Sequence, residues 1–351
     1  MTTWFVPKEK LESLLSEREG QTVFGPTETE GLSWLDAPGE KLSLTPLSRP
    51  RSAQSPKGFL LPAAELLGRY GSAASSQAVA EATRVVLFGI RACELRARTY
   101  LDRVFSEGDF TDPAYLARRE QTVTISCDCV DCTETCCCTL VGGKPYAEDG
   151  YDANITAIQE GYLVDVATEK GETWLGDAKA LGIQEADAKY LQRRDEVREK
   201  MVARLKEQNS RFTFQSDDET QPSLPEIDDP SWQKFAADCV ECGACTNICP
   251  TCHCFYLYDQ VLGKDAFERV RTWDSCLLST YHRMAGGVNM KISPRPDLFS
   301  RLANRVLHKF TYSPQQWHMM GCVGCGRCID ACLGAIDLRE VVSTLAAEGT
   351  G

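Results

Sequence analysis

Residues 239–250 read CVECGACTNICP and residues 322–332 read CVGCGRCIDAC, and this repeated pattern decides the fold of the C-terminal third. Each run follows C-x2-C-x2-C-x3-C, placing Cys239, Cys242, Cys245 and Cys249 in one and Cys322, Cys325, Cys328 and Cys332 in the other. Three thiolates from one tight loop can cap three irons of a cubane, and Gly243 and Gly326 let the backbone curl closely around it. In two-cluster ferredoxins the fourth cysteine of each run serves the other cluster. That pattern predicts one [4Fe-4S] cluster on Cys239, Cys242, Cys245 and Cys332, and a second on Cys322, Cys325, Cys328 and Cys249. Paired zinc sites are the competing reading, but zinc usually separates its two CxxC pairs by a longer spacer. Leu333 stands where the second run would normally carry proline, which shapes the loop and does not bind iron.

Between the runs lie 72 residues, so the insert is a structural element of its own. Its run PRPDLFSRLANRVLHKF reads mainly as helix. Arg295, Arg301, Arg305, His308 and Lys309 in this run are candidates to meet a partner or a flavin phosphate, although a charge run is more often a solvated face. Upstream, residues 215–229 (QSDDETQPSLPEIDD) hold six acids, two prolines and no basic residue, the mark of a solvated linker. The expected organisation is therefore an N-terminal α/β-type domain over 1–214, an acidic linker over 215–230, and a dicluster ferredoxin-like domain with a helical insert over 231–351. The fold class is α+β. Within the first domain RVVLFGI, QTVTIS and GYLVDVATEKG read as strands, ELRARTYLDRVF as a helix, and residues 187–209 as an amphipathic helix closing the domain. Residues 38–56, rich in Pro and Ser, read as an irregular surface loop.

With 351 residues, 43% of them hydrophobic, the chain can bury real cores, which excludes a disulfide-stapled miniature. Its eighteen cysteines follow a start, MTTWFVPKEK, without the apolar stretch of a signal peptide, so reduced, metal-binding thiols and a cytoplasmic location are expected. The longest clearly apolar run, Val85 to Ile90, is far short of the roughly 20 residues needed to span a membrane. A formal charge of −12 argues against nucleic acid as the main partner.

Further motifs carry a family resemblance: CPTCHCF at 249–255, RTWDSC at 271–276, HKFTY at 308–312 and GCVGCGRC at 321–328. SPKGFLLP at 55–62, LFGIRACEL at 87–95 and the Asp112 to Glu120 segment extend it through the N-terminal region. On these motifs the chain resembles the beta subunits of sulfhydrogenase-type [NiFe] hydrogenases, which are similar to the A component of anaerobic sulfite reductase. The resemblance implies an electron conduit between a flavin subunit handling NAD(P)H and a partner where the terminal chemistry occurs, with flavin only in that partner subunit. It also implies a third cluster on Cys93, Cys129, Cys136 and Cys138. Two departures are Ala92, where the family usually has proline, and the crowded SCDCVDCTETCCC at 126–138.

The strand pattern gives independent support, since Cys93 and Cys129 each follow a strand and both can lie at one edge of a sheet. A zinc site or reactive thiol pair built from Cys127, Cys132 and Cys137 is the alternative. Cys252, Cys254 and Cys276 either complete a further metal site or pack beside the clusters, and the frequency of buried free cysteine favours packing. His253, His282, His308 and His318 show no ligand spacing among themselves.

No phosphate-binding glycine loop or nucleophile motif is present. A non-catalytic electron-transfer subunit of a hetero-oligomer is the expectation. The alternatives are a thiol redox-sensing module and a flavin-binding catalytic subunit.

Overall fold

The computed structural model describes residues 2–11, 22–26, 45–71, 84–176, 180–214, 221–281, 283–284 and 293–348. Two sheets organise it. The larger has seven strands, drawn from β1 (Thr2–Pro7), β2 (Thr22–Phe24), β4 (Val85–Ile90), β5 (Thr122–Cys127), β6 (Ala153–Ala157), β7 (Gly161–Val166) and β8 (Gln184–Glu185), in the order β2-β4-β5-β6-β7-β1-β8. β2, β4, β5 and β6 run parallel, and β7, β1 and β8 add antiparallel pairings. The central strands are continuous apolar runs because both their faces are covered; every residue of β5 is buried. Between β4 and β5 the chain makes α1 (Ala92–Ser106) and α2 (Pro113–Gln121), and after β8 it makes α3 (Ala188–Gln208). The expected strands and both expected helices are present. α3 begins at Asp187, whose carboxylate accepts from the Tyr190 amide at 3.1 Å, and it buries Met201 and Leu205.

The second sheet corrects the expectation of a helical insert. Phe255–Val261 (β9) and Ala266–Trp273 (β10) form an antiparallel hairpin, and β10 pairs on its other side with β3 (Ala64–Gly71) from the N-terminal region. FYLYDQV is rich in aromatic and branched residues that favour a pleated strand. The insert and the N-terminal region thus share a sheet. The expected helix follows as α4 (Leu298–Leu307), continuing into a π-helical turn over His308–Tyr312. α4 and Phe310 pack against α5 (Leu338–Glu348) through Ala303, Val306, Val341, Val342 and Leu345. Of the expected loop and linker, residues 38–44 and 215–220 lie outside the described residues; Thr45–Ser48 form one 3-10 turn and the remainder is irregular. No helix among the described residues is long and apolar enough to cross a membrane.

Candidate metal centres

Each C-terminal cysteine run curls at a left-handed glycine, Gly243 at φ 69° and Gly326 at φ 74°, and each glycine caps a one-turn helix, Ala244–Asn247 and Arg327–Asp330. Cys245 and Cys328 occupy those turns. The runs cross: Cys239 lies within electrostatic reach of Cys242, Cys245 and also Cys332 from the other run, while Cys322 and Cys328 are each within reach of Cys249 and Cys325. Cys239, Cys242, Cys245, Cys328 and Cys332 line one pocket, whose remaining wall is largely apolar apart from Arg305.

Burial pushes the metal-free thiols up, Cys322 to about 11 and Cys328 to about 12. Such groups become thiolates only when a cation compensates them. Cys249 is the exception. A hydrogen bond from Cys252 holds it well below the ordinary thiol range, and the Lys309 ammonium, 3.2 Å from its Sγ, adds to this against the opposing effect of burial.

The basic run of the insert departs from the expected solvated face, because Arg301, Arg305 and Lys309 are buried. Arg301 pairs with Glu241. Lys309 also donates to Thr251 Oγ1 at 2.9 Å and to the Gly321 carbonyl at 3.0 Å. Arg305 lies among Cys245, Cys328, Cys252 and Cys249, and its Nε and Nη2 are buried without a hydrogen-bond partner among the described residues. An orphaned buried guanidinium surrounded by thiols is what a negatively charged, thiolate-bound group would satisfy. The donor set and the charge around it therefore fit iron–sulfur clusters, which supply one-electron storage when bound.

The N-terminal cysteines occupy a loop that docks on the second run. Cys93 sits in the first turn of α1, within reach of Cys129 and of Cys325. Cys129 is near Cys136, and Cys138 is near both. The four expected thiols thus share one neighbourhood. Cys132 joins them, packing with Cys129, Cys136 and Cys138 while donating to Gln208 Oε1 at 3.3 Å, whereas Cys127 ends β5 beside Arg91 and Cys137 faces Cys322, Cys325 and Cys328. Of the histidines, His253 and His308 lie 5.6 Å apart between ring centres with their planes tilted by 53°, and His282 lies outside the described residues. Among the described residues no three His, Cys, Asp or Glu side chains meet at the spacing of a single metal ion.

Three buried arginines at this junction carry no signal in the sequence. Arg51 bridges to Asp330 at 2.6 Å and donates to the Cys325 carbonyl. Arg91 donates to the Asp128 carbonyl at 2.9 Å and lies near Cys129, Cys127 and Cys93. Arg327 forms an ion pair with Glu94, both 1% exposed. Isolated arginines in RPRSA and GIRAC follow no spacing rule, so only their placement beside thiols marks them.

Comparison with known proteins agrees with this geometry. Residues 238–336 match the model of a 4Fe-4S dicluster domain. The chain is 29% identical over 263 residues to Sulfhydrogenase 2 subunit beta of Pyrococcus furiosus, covering 74% of this chain and 73% of that one. It is 26% identical over 182 residues to the F420-dependent formate dehydrogenase subunit beta of Methanocaldococcus jannaschii, covering 51% of this chain and 37% of that protein. No solved structure matches it. The chain is thus similar to a sulfhydrogenase beta subunit over about three quarters of its length, and its residues 238–336 match a 4Fe-4S dicluster domain.

Proposed function

We propose that this chain is the iron–sulfur conduit of a hetero-oligomeric oxidoreductase, carrying three [4Fe-4S] clusters in series. Cys239, Cys242, Cys245 and Cys332 hold the first, Cys322, Cys325, Cys328 and Cys249 the second, and Cys93, Cys129, Cys136 and Cys138 the third. The observation that supports the reading is the crossing of the two runs together with the docking of the N-terminal loop on the second. Around them Arg305, Lys309, Arg91 and Arg51 supply buried positive charge that offsets the thiolates.

On this reading electrons pass between a flavin subunit handling NAD(P)H and a catalytic partner of hydrogenase, sulfite reductase or heterodisulfide reductase type. That both homologues are beta subunits supports a hetero-oligomer. The eighteen free thiols suit a reducing cytoplasm. The test is anaerobic purification of the native complex, with iron and sulfide analysis per chain, EPR of the reduced state and identification of the co-purifying proteins. About twelve irons in these three sites supports the series. A loss of no iron on replacing Cys93 and Cys129 removes the third cluster, and zinc in place of iron overturns the reading.

A further inference from the structure

Cys252, Cys254 and Cys276 belong to none of the three sets, yet the fold gathers them. Cys252 and Cys254 precede β9 and Cys276 follows β10, so the base of the hairpin draws the two segments together: Phe255 pairs with Trp273, and the Asp274 amide donates to the Cys254 carbonyl at 3.0 Å. The Cys254 and Cys276 side chains hydrogen-bond each other, and Tyr281 hydrogen-bonds Cys254. From below, Lys57 Nζ donates to the Cys252 carbonyl at 3.0 Å while lying 4.0 Å over the Trp273 ring, which fixes the loop.

All three thiols line one cavity of about 400 Å³. That is many times the space a single water needs. Arg295, Arg305, His308 and Lys309 share the lining, and no carboxylate among the described residues does. Among the described residues, Arg295 Nε and Arg305 Nε and Nη2 have no hydrogen-bond partner there. A cationic core larger than one ion, which three thiolates make net negative as a whole, fits this lining. Soft thiolate sets select zinc, copper(I) or iron–sulfur clusters, and only the last is polyatomic.

We propose that this cavity holds a further iron–sulfur cluster, bound by Cys252, Cys254 and Cys276 and completed by a non-thiolate donor from the lining, where His308 is the half-buried candidate. Cys252 hydrogen-bonds Cys249, so the site adjoins the second cluster of the series. The inference extends the three-cluster reading and is tested apart from it.

The experiment compares the anaerobically purified chain with its Cys254→Ala/Cys276→Ala variant for iron, labile sulfide, zinc and released flavin. A drop of about four irons with matching sulfide, leaving the other EPR signals in place, is expected. Unchanged iron overturns the proposal; so does loss of one zinc, or a flavin released by denaturation with unchanged iron. Should the variant not fold, native mass spectrometry of the unaltered chain and of its Cys93→Ala/Cys129→Ala variant decides: about four irons remaining in the variant beyond the roughly eight of the two C-terminal clusters is expected, and only about eight remaining refutes the inference. Loss of iron on replacing Cys93 but not on replacing Cys254 and Cys276 overturns this inference alone.

Discussion

The Cys137 amide donates a 2.8 Å hydrogen bond to the Gly324 carbonyl, joining the N-terminal cysteine loop to the second C-terminal run backbone to backbone. The approach is close enough that a Cβ on Gly324 would lie 2.5 Å from both the Cys137 carbonyl oxygen and the Cys138 Cα. Gly324 also has φ 64°, a left-handed conformation. Gly324→Ala is expected to lower the stability of the anaerobic chain by at least about 2 kcal/mol, through backbone strain and displacement of the loop. Gly263→Ala, where a Cβ meets nothing within 4 Å, is the control that leaves the melting temperature unchanged. Equal melting of the two variants would contradict the docking.

The crossing of the runs separates two otherwise similar substitutions. Cys332→Ser should perturb the cluster of Cys239, Cys242 and Cys245, whereas Cys249→Ser should perturb that of Cys322, Cys325 and Cys328. Each is expected to cost about four irons, or convert one site to a three-iron form, with different EPR signals lost in the two variants. Loss of the same signal in both would show that each run keeps its own fourth ligand.

Lys309 places a buried ammonium 3.2 Å from Cys249 Sγ. A cation at that position favours the reduced, more negative state of whatever the thiolate holds. Lys309→Met should therefore lower the reduction potential of the second cluster, by about 60 mV if the lost interaction is worth a factor of ten. Lys309→Arg should retain most of the effect. An EPR-monitored redox titration reads the shift, and a rise in potential on removing the charge would reverse the assigned role.

Arg327 and Glu94 form an ion pair across the same junction, each side chain 1% exposed. Removing one partner leaves an uncompensated buried charge. Arg327→Met is expected to destabilise the chain by about 3 to 5 kcal/mol, and the double variant Arg327→Met/Glu94→Gln to recover part of that loss. Chemical denaturation of the two variants under anaerobic conditions measures the difference. Additive losses in the double variant would mean that the two residues act independently.

The cysteine spacing alone determined the dicluster domain, because four thiols within eleven residues leave few ways to wrap a metal group. The strands and helices around Cys93 and Cys129 were also legible, since buried parallel strands are unbroken apolar runs and α3 repeats its apolar positions at helical spacing. Tertiary structure decided the rest. The pairing of β10 with β3 joins residues about two hundred positions apart, a contact that local pattern does not encode. The charges of α4 and its π turn looked solvated because sequence cannot show which cations will face thiols, yet Arg305 and Lys309 turn inward once the two runs close around them. Cys252, Cys254 and Cys276 read as packing residues because twenty-one positions separate Cys254 from Cys276 in the chain. Only the antiparallel register of the hairpin brings both to its base, beside a cavity lined by Arg295, Arg305 and Lys309.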